Sequence, residues 1–288
     1  MQITQTTQPI TLEKVKLLEK KSILQRRLIL KMIYTAGAGH TGGSLSCVDI
    51  LNVLYNHVMN ISPENFSEIN RDHYIHSKGH SVEALYAVLA DKSFFPIEAL
   101  DSIEKYGSDF IGHPTRSVPG IEQNTGALGH GLSLAVGMAL AAKMNGRTDR
   151  IFTIMGDGEL TEGSIWEASA SASHYHLDNL VAIIDRNTLQ ISGRTENVMA
   201  MEPLDEKFIT FGFAVRWVDG NSIPDLISVF DDLPFEEGKP NLILASTVKG
   251  KGISFIEDKV EWHHHVPTDT EYAKAMLELD EAEKALGD

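Results

Sequence analysis

Four short apolar runs in the second half of the chain constrain the fold more than any other feature. They read IFTIM, LVAIID, AVRWVD and LILAST, and helical or loop segments separate them. None of the runs alternates polar with apolar residues, which is typical of strands buried on both faces, and interleaved helices favour parallel order. The pattern therefore predicts an α/β fold with a doubly wound, mostly parallel sheet and helices on both faces.

The rest of the chain adds further predicted elements. Residues 1–10 are polar and predict a poorly ordered lead, whereas residues 11–288 contain no Pro-, Gly- and Ser-rich linker and predict a single domain. One or two amphipathic helices are expected from Thr11 onward, and another helix from about Ser46 to Met59. DHYIHS predicts a strand. Helices are predicted at SVEALYAVLAD, at LSLAVGMALAAKMNG and in the acidic carboxyl-terminal segment. The last of these ends at a glycine stop, from which we expect a natural end of the chain.

Composition excludes some classes of partner. The formal net charge of −15 would repel phosphate backbones and anionic lipid, so neither nucleic acid nor a membrane is expected as the main partner. No apolar run approaches the roughly 20 residues that span a bilayer, and the first residues do not resemble a signal peptide. The single cysteine, Cys47, favours a reducing cytoplasm and is expected to be a small buried packing residue.

The segment IFTIMGDGEL, from Ile151 to Leu160, places a carboxylate between two glycines at the end of a predicted strand. Ligands of open parallel sheets bind beyond the carboxyl ends of strands, and glycines let the backbone approach a phosphate closely. The carboxylate of Asp157 is then suited to Mg²⁺, which takes few protein carboxylates and borrows phosphate oxygens. Alone, the same letters are also typical of an ordinary strand-to-helix turn.

A second polar residue ends the next predicted strand. LVAIIDRN ends at Asn187, 30 positions after Asp157, and a strand-helix-strand unit needs about 30 residues. With EGSIWEASASASHYH as the crossover helix, both side chains should emerge at the carboxyl ends of two parallel strands. The spacing predicts that Asp157 and Asn187 can coordinate one ion.

The whole pattern, GDG followed by EG, an alanine-rich helix and an apolar strand ending in Asn, resembles the thiamin diphosphate motif. The chain resembles the amino-terminal, diphosphate-binding part of transketolase across roughly residues 11 to 270. Five further stretches match family segments: AGAGHTGGSLS, HSKGHSVEALYAVL, GHPT, TGALGHGLSLAVGMA and EDKVEWHHHVP.

This resemblance implies thiamin diphosphate and Mg²⁺ as cofactors and assigns residues to them. The implied cofactor-binding residues are His80, Gly126, Ala127, Leu128, Gly158, Asn187 and His263. The implied metal ligands are Asp157, Asn187 and the backbone carbonyl of Leu189. The implied catalytic residues are His40, His113, His263 and Glu162, the last in a carboxylate network at the subunit interface.

Some positions depart from the family pattern. Thr41 stands where many members have proline, and His130 where many have glutamine, but neither change removes an implied ligand. His264 and His265 extend the usual single histidine. Because consecutive side chains diverge, we do not expect the three adjacent histidines to chelate one ion.

The resemblance covers only part of the family's full chain. The full chain also carries a second thiamin-binding domain, which holds the glutamate that activates the aminopyrimidine, and a third domain, and we expect this protein to lack both. The resemblance therefore implies the amino-terminal subunit of a split transketolase, which joins a separate carboxyl-terminal subunit in an α₂β₂ assembly. The implied reaction moves a two-carbon ketol unit from a ketose phosphate to an aldose, and pentose phosphates, a branched sugar phosphate or a sulfosugar remain open as substrates.

Two alternatives remain. The alpha subunit of a thiamin-dependent 2-oxo acid dehydrogenase shares GDG…N, but its pattern does not normally carry the early AGAGH or the late KGKGISFIE…WH segment. A non-catalytic assembly subunit is the other alternative, and the intact potential ligands argue against it: His80, Asp157, Asn187 and His263.

Overall fold

A computed structural model describes residues 11–287, so the predicted lead over residues 1–10 lies outside the described residues. Its strands are β1 (His73–His76), β2 (Ile151–Gly156), β3 (Leu180–Arg186), β4 (Leu189–Gln190), β5 (Gly193–Arg194), β6 (Ala214–Asp219) and β7 (Asn241–Ser246). Its α-helices are α1 (Leu12–Ala36), α2 (Thr41–Val53), α3 (Val82–Asp91), α4 (His130–Met144), α5 (Gly163–His174), α6 (Thr195–Val198), α7 (Leu204–Thr210), α8 (Ile223–Asp231) and α9 (Asp269–Leu286).

A five-stranded sheet in the order β1-β2-β3-β7-β6 forms the centre of the fold. All four neighbouring strand pairs are parallel, and β4 and β5 form a separate small antiparallel hairpin. The prediction of an α/β fold with a doubly wound, mostly parallel sheet is confirmed.

Two separate apolar clusters explain why the central strands carry no polar alternation. Phe152 and Ile154 of β2 pack into the cluster that contains α1, α2 and α3. Ile151 and Met155 of the same strand pack into the cluster that contains α4 and α5. Because successive side chains of a strand point to opposite faces, a strand between two helical layers must be apolar at every position.

One of the four apolar runs does not fit that explanation. AVRWVD forms β6 at the edge of the sheet, and Trp217 is 47% exposed. The prediction that this run is buried on both faces is therefore wrong. Within residues 11–287, only β7 pairs with this strand, and its side chains are mostly half-buried or exposed, unlike those of β2 and β3.

The predicted helix from about Ser46 begins earlier than expected. It starts at Thr41, so two glycines that were expected to break the pattern lie in its first turn. A Cβ atom on Gly42 would lie 3.0 Å from Cγ of Lys249 and 3.0 Å from the carbonyl oxygen of Trp262. Close packing against these two neighbours outweighs the low helix propensity of glycine.

Other local predictions agree with the structure. A single helix, α1, follows the side-chain cap of Thr11, and the expected strand at DHYIHS and helix at SVEALYAVLAD are β1 and α3. Cys47 is fully buried, as predicted, and burial raises the pKa of its thiol to about 11. Within residues 11–287, no helix combines the length and apolar character that crossing a bilayer requires.

Candidate functional site

A cavity of about 390 Å³ opens at the carboxyl ends of β1, β2 and β3. Most of the site residues predicted from the sequence line it, from elements far apart in the chain. These are His40, His80, His113, Gly126, Leu128, Asp157, Gly158, Asn187, Leu189 and His263. The sheet topology therefore brings together segments that span more than two hundred residues of sequence.

Two predicted site residues do not line this cavity. Ala127 is exposed between Gly126 and Leu128, and its carbonyl lies 3.1 Å from Nδ1 of His130. Glu162 is exposed at the start of α5, so the structure does not place its carboxylate among the other predicted catalytic groups. An interface role for Glu162 stays a prediction.

Asp157 and Asn187 lie at the same edge of the sheet because β2, α5 and β3 form one parallel strand-helix-strand unit. Asp157 Oδ1 accepts from the Gly158 amide at 2.8 Å, and Oδ2 accepts from the Thr188 amide at 2.6 Å. Asn187 donates to Asp185 at 3.2 Å and accepts from the Leu189 amide at 3.1 Å. Both residues thus follow the carboxyl ends of two parallel strands, as the spacing predicts, and their coordination of one ion stays a prediction.

These residues offer a donor set that suits a hard cation. The set comprises a carboxylate from Asp157, an amide oxygen from Asn187 and a main-chain carbonyl from Leu189, all lining one cavity. Oxygen ligands of this kind are those that Mg²⁺ prefers. Burial, followed by the nearby Asp185 charge, raises the pKa of Asp157, although a guanidinium nitrogen of Arg186 lies 3.0 Å from its Oδ2. A metal cation at this carboxylate would further stabilise its charged form.

Two buried lysines face the same cavity, and no sequence pattern pointed to either. Nζ of Lys78 donates to Asp185 at 2.5 Å and to the Gly43 carbonyl at 2.8 Å. Lys249 is 2% exposed, and its Nζ lies 2.7 Å from Nδ1 of His263. Burial, and then the charge of Lys78, lower the pKa of Lys249 to about 8. Buried cations beside a cavity are suited to an anionic ligand.

Closely packed glycines shape the cavity wall. A Cβ atom on Gly79 would lie 2.8 Å from the backbone nitrogen and from Cα of Gly126. Gly126 itself has a φ of +140°, and a Cβ atom there would lie 2.8 Å from Cδ2 of His113. The two loops can lie side by side only because neither carries a side chain at the contact.

A buried carboxylate that the sequence motifs did not single out ties these loops to the GDG turn. Glu159 accepts from the Gly129 amide at 2.8 Å, from the Gly156 amide at 3.0 Å, and from the Ser77 hydroxyl. Burial raises the pKa of Glu159. Its three donors come from three segments, so Glu159 fixes their relative positions.

Four imidazoles meet at the mouth of the cavity. The ring centroid of His40 lies 5.1 Å from that of His80, 5.5 Å from that of His263 and 4.1 Å from that of His264. Burial is the largest cause that lowers the pKa of His40 and of His263 to about 3, and it also lowers the pKa of His80. These three rings are therefore neutral at pH 7 and can each both donate and accept a hydrogen bond.

The loop that carries His40 is anchored by Glu83, another residue that no sequence motif singled out. The carboxylate of Glu83 accepts from the His40 amide at 3.2 Å and from the Ser44 hydroxyl at 2.7 Å. His40 provides no side-chain cap for α2, and the buried Glu83 carboxylate places negative charge near the positive end of the helix dipole.

Comparison with known proteins gives a consistent family. Residues 19–281 match the family described as "Transketolase, thiamine diphosphate binding domain". The chain is 47% identical over 267 residues to the A subunit of apulose-4-phosphate transketolase from Phocaeicola vulgatus, covering 93% of this chain and 95% of that protein. It is 42% identical over 264 residues to 6-deoxy-6-sulfo-D-fructose transketolase subunit SqwG of a Clostridium species, covering 91% and 96%.

Solved structures extend the comparison. Transketolase from Campylobacter jejuni superposes with a TM-score of 0.81 at 28% identity, covering 96% of this chain and 48% of that one. Transketolase from Leishmania mexicana superposes with a TM-score of 0.80 at 26% identity, covering 93% and 46%. The chain therefore spans less than half the length of these solved transketolases.

Proposed function

The chain belongs to the transketolase family through its amino-terminal, thiamin diphosphate-binding domain, and from this premise we propose that it is the amino-terminal subunit of a two-subunit transketolase. The observation that carries the proposal is the contrast in coverage. The chain matches the A subunits of two apulose-4-phosphate transketolases over about 95% of their length but spans less than half of the solved transketolases. This agrees with the family predicted from the sequence and disfavours the 2-oxo acid dehydrogenase alternative.

The proposed reaction transfers a two-carbon ketol unit from a ketose phosphate to an aldose acceptor. When bound, thiamin diphosphate supplies the electron sink for carbon–carbon bond cleavage. Relatives are named for apulose 4-phosphate and for 6-deoxy-6-sulfo-D-fructose, so the donor sugar of this chain is to be sought among branched, pentose and sulfonated sugars.

The residues of this chain would hold the cofactor at both of its ends. Gly158, Lys78 and Lys249, which all line the cavity, would hold the diphosphate, and the two ammonium groups would offset its negative charge. Asp157, Asn187 and the carbonyl of Leu189 would hold Mg²⁺. The aminopyrimidine would lie against the backbone of the loop from Gly126 to Leu128.

The imidazoles would act on the sugar. His40, His80, His113 and His263 all line the cavity. Since the rings of His40 and His263 are neutral at pH 7, each can donate one hydrogen bond to a substrate hydroxyl and accept another. In this arrangement His263 would contact both cofactor and substrate.

One side of the cavity remains available to a partner. Ile191 lines the cavity and is 64% exposed. A second subunit would cover this apolar side chain at the rim. We propose that a carboxyl-terminal subunit binds here in an α₂β₂ assembly and contributes the activating glutamate. A cytoplasmic location is part of the proposal and is supported by the single buried thiol of Cys47.

The test is reconstitution. The purified chain, saturated with thiamin diphosphate and Mg²⁺, is assayed for ketol transfer with xylulose 5-phosphate, apulose 4-phosphate and 6-deoxy-6-sulfofructose as donors. We expect no turnover by the chain alone and turnover after addition of a polypeptide that carries the missing domains.

The matched control for reconstitution is Asp157→Ala. The variant complex should assemble normally but lose Mg²⁺-dependent binding of thiamin diphosphate in a calorimetric titration. Robust turnover by the lone chain would overturn the two-subunit proposal, and wild-type cofactor affinity in Asp157→Ala would overturn the metal assignment.

A further inference from the structure

The histidine cluster at the mouth of the cavity contains one ring that the proposed function leaves unused. Ring centroids lie 4.1 Å apart for His40 and His264, and 4.7 Å apart for His263 and His264. The nitrogen atoms that His40, His263 and His264 can offer to a cation all lie within 4.8 Å of one another. We propose that these three residues bind a divalent transition metal ion such as Zn²⁺, separately from the magnesium site proposed at Asp157.

The site exists because two chain segments meet. Of the three adjacent histidines, only His265 diverges as expected from the sequence: its Nε2 lies 3.0 Å from a carboxylate oxygen of Glu271. His263 and His264, however, both lie beside His40, which comes from the start of α2. The hydroxyl of Thr41 donates to the His265 carbonyl at 2.7 Å, and this bond holds the two segments together.

The chemistry of the three side chains selects the class of metal. Imidazole nitrogen suits Zn²⁺, Cu²⁺ and Ni²⁺, whereas Mg²⁺ takes oxygen ligands. Burial keeps His40 and His263 neutral at pH 7, so neither ring has to release a proton before it binds a metal ion. Three protein ligands leave the fourth position of a tetrahedral zinc ion open to water or to another ligand.

The geometry requires a modest closure of the site. Zinc–nitrogen bonds of about 2.0–2.1 Å place tetrahedral ligand atoms about 3.3 Å apart, so atoms separated by up to 4.8 Å must approach one another. His264 is exposed and can rotate toward the other two rings. Because Lys249 contacts Nδ1 of His263, that ring would bind through Nε2, and the lysine charge opposes the cation. We therefore expect reversible binding instead of a permanent structural ion.

Occupancy of this site would withdraw His40 and His263 from the sugar substrate. The metal would then inhibit ketol transfer, a consequence that rests on the proposed function. Metal binding itself does not rest on it, since the ligands belong entirely to this chain.

The experiment uses the full chain without thiamin diphosphate, Mg²⁺ or a partner subunit, so its result is independent of the proposed function. Zn²⁺ is titrated calorimetrically, and the visible absorption of added Co²⁺ reports tetrahedral coordination. The test variant is His264→Ala, and the matched control is His265→Ala, the adjacent histidine outside the cluster. Thermal unfolding without metal checks that both variants fold, and His264→Gln is a second test variant.

We expect the wild type and His265→Ala to bind Zn²⁺ alike. His264→Ala and His264→Gln should bind at least about tenfold more weakly, since even residues that only support a ligand cost roughly 10- to 100-fold, and should lose the tetrahedral Co²⁺ absorption. Equal Zn²⁺ affinity in the wild type and the His264 variants would overturn the proposal. An equal loss in His265→Ala would also overturn it.

Discussion

The two ends of the central sheet both carry dense charge, but they use it differently. At the amino end, Arg150 pairs with Asp72 at 2.6 Å and Arg147 with Asp149 at 2.9 Å, next to a cavity of about 480 Å³. At the carboxyl end, the Lys249 ammonium contacts a carbonyl and a neutral imidazole instead of a carboxylate. Lys249 thus differs from Arg147 and Arg150, and also from Arg186 at its own end of the sheet, which pairs with Asp157 at 3.0 Å.

This difference shows which features mark a functional site. Charge and volume are present at both ends, so neither distinguishes them. At the carboxyl end, burial disfavours the charged form of Lys249, as its lowered pKa shows. At the same end, the loops of Gly79 and Gly126 pack so closely that neither position has room for a side chain. Groups held in unfavourable environments are the ones that a ligand can stabilise.

The largest expected effect is at the carboxyl end, in Lys249→Met. Removing a buried cation from the proposed diphosphate site should weaken thiamin diphosphate binding roughly 100-fold, about 3 kcal/mol, the upper range for a hydrogen bond to a charged group. Because burial disfavours this charge, thermal stability without ligand should be unchanged or higher. Calorimetry measures the affinity for thiamin diphosphate, and thermal unfolding measures the stability. Lower stability with unchanged affinity would show that Lys249 supports the fold and not the ligand.

Asp72→Ala, at the amino end, should show the opposite behaviour. Asp72 is buried and accepts from the backbone amides of Asn60 at 2.9 Å and Arg150 at 3.0 Å. Leaving these donors without an acceptor should lower the free energy of unfolding by about 2 kcal/mol. Urea unfolding measures the loss, and thiamin diphosphate affinity should match the wild type. A large change in that affinity would remove the distinction between the two ends.

A pair of glycines gives a smaller, matched comparison. Gly126 and Gly146 both have positive φ, but a Cβ atom on Gly146 would meet nothing within 4 Å, whereas one on Gly126 would collide with His113. Gly146→Ala should cost about 1 kcal/mol of stability through backbone strain alone. Gly126→Ala should also weaken cofactor binding severalfold in the same titration. Similar cofactor affinity in both variants would contradict the close-packing argument.

The smallest effect is a pH dependence at the amino end. Burial alone would raise the pKa of Glu122, but hydrogen bonds from His73 and Arg71 hold it below its usual range. A lowered folded-state pKa stabilises the fold above the unfolded value of about 4.3, and this contribution is lost as pH falls through the folded value.

Glu122→Gln removes this titration. Its stability deficit relative to the wild type, measured by urea unfolding, should therefore shrink between pH 7 and about pH 3, by less than about 1 kcal/mol. A deficit that grows toward acid pH would show that the sign is wrong.

Much of the site followed from local spacing. Asp157 and Asn187 could be placed together because a strand, a crossover helix and a parallel strand have a nearly fixed combined length. Lys249 could not be placed in this way. It follows β7, which enters the sheet between β3 and β6, and no local pattern shows where a later strand inserts.

The sequence by itself determined the family, the parallel α/β architecture and the positions of the two strand ends, because apolar runs, glycines and short-range spacings act within one or two elements. Only the tertiary structure decided that AVRWVD lies at an edge, that Glu159 and not Glu162 is buried beside the GDG turn, and that His264 meets His40. Each of these depends on strand order and on contacts between distant segments. The packing energy of those contacts decides them, and local propensity does not contain it.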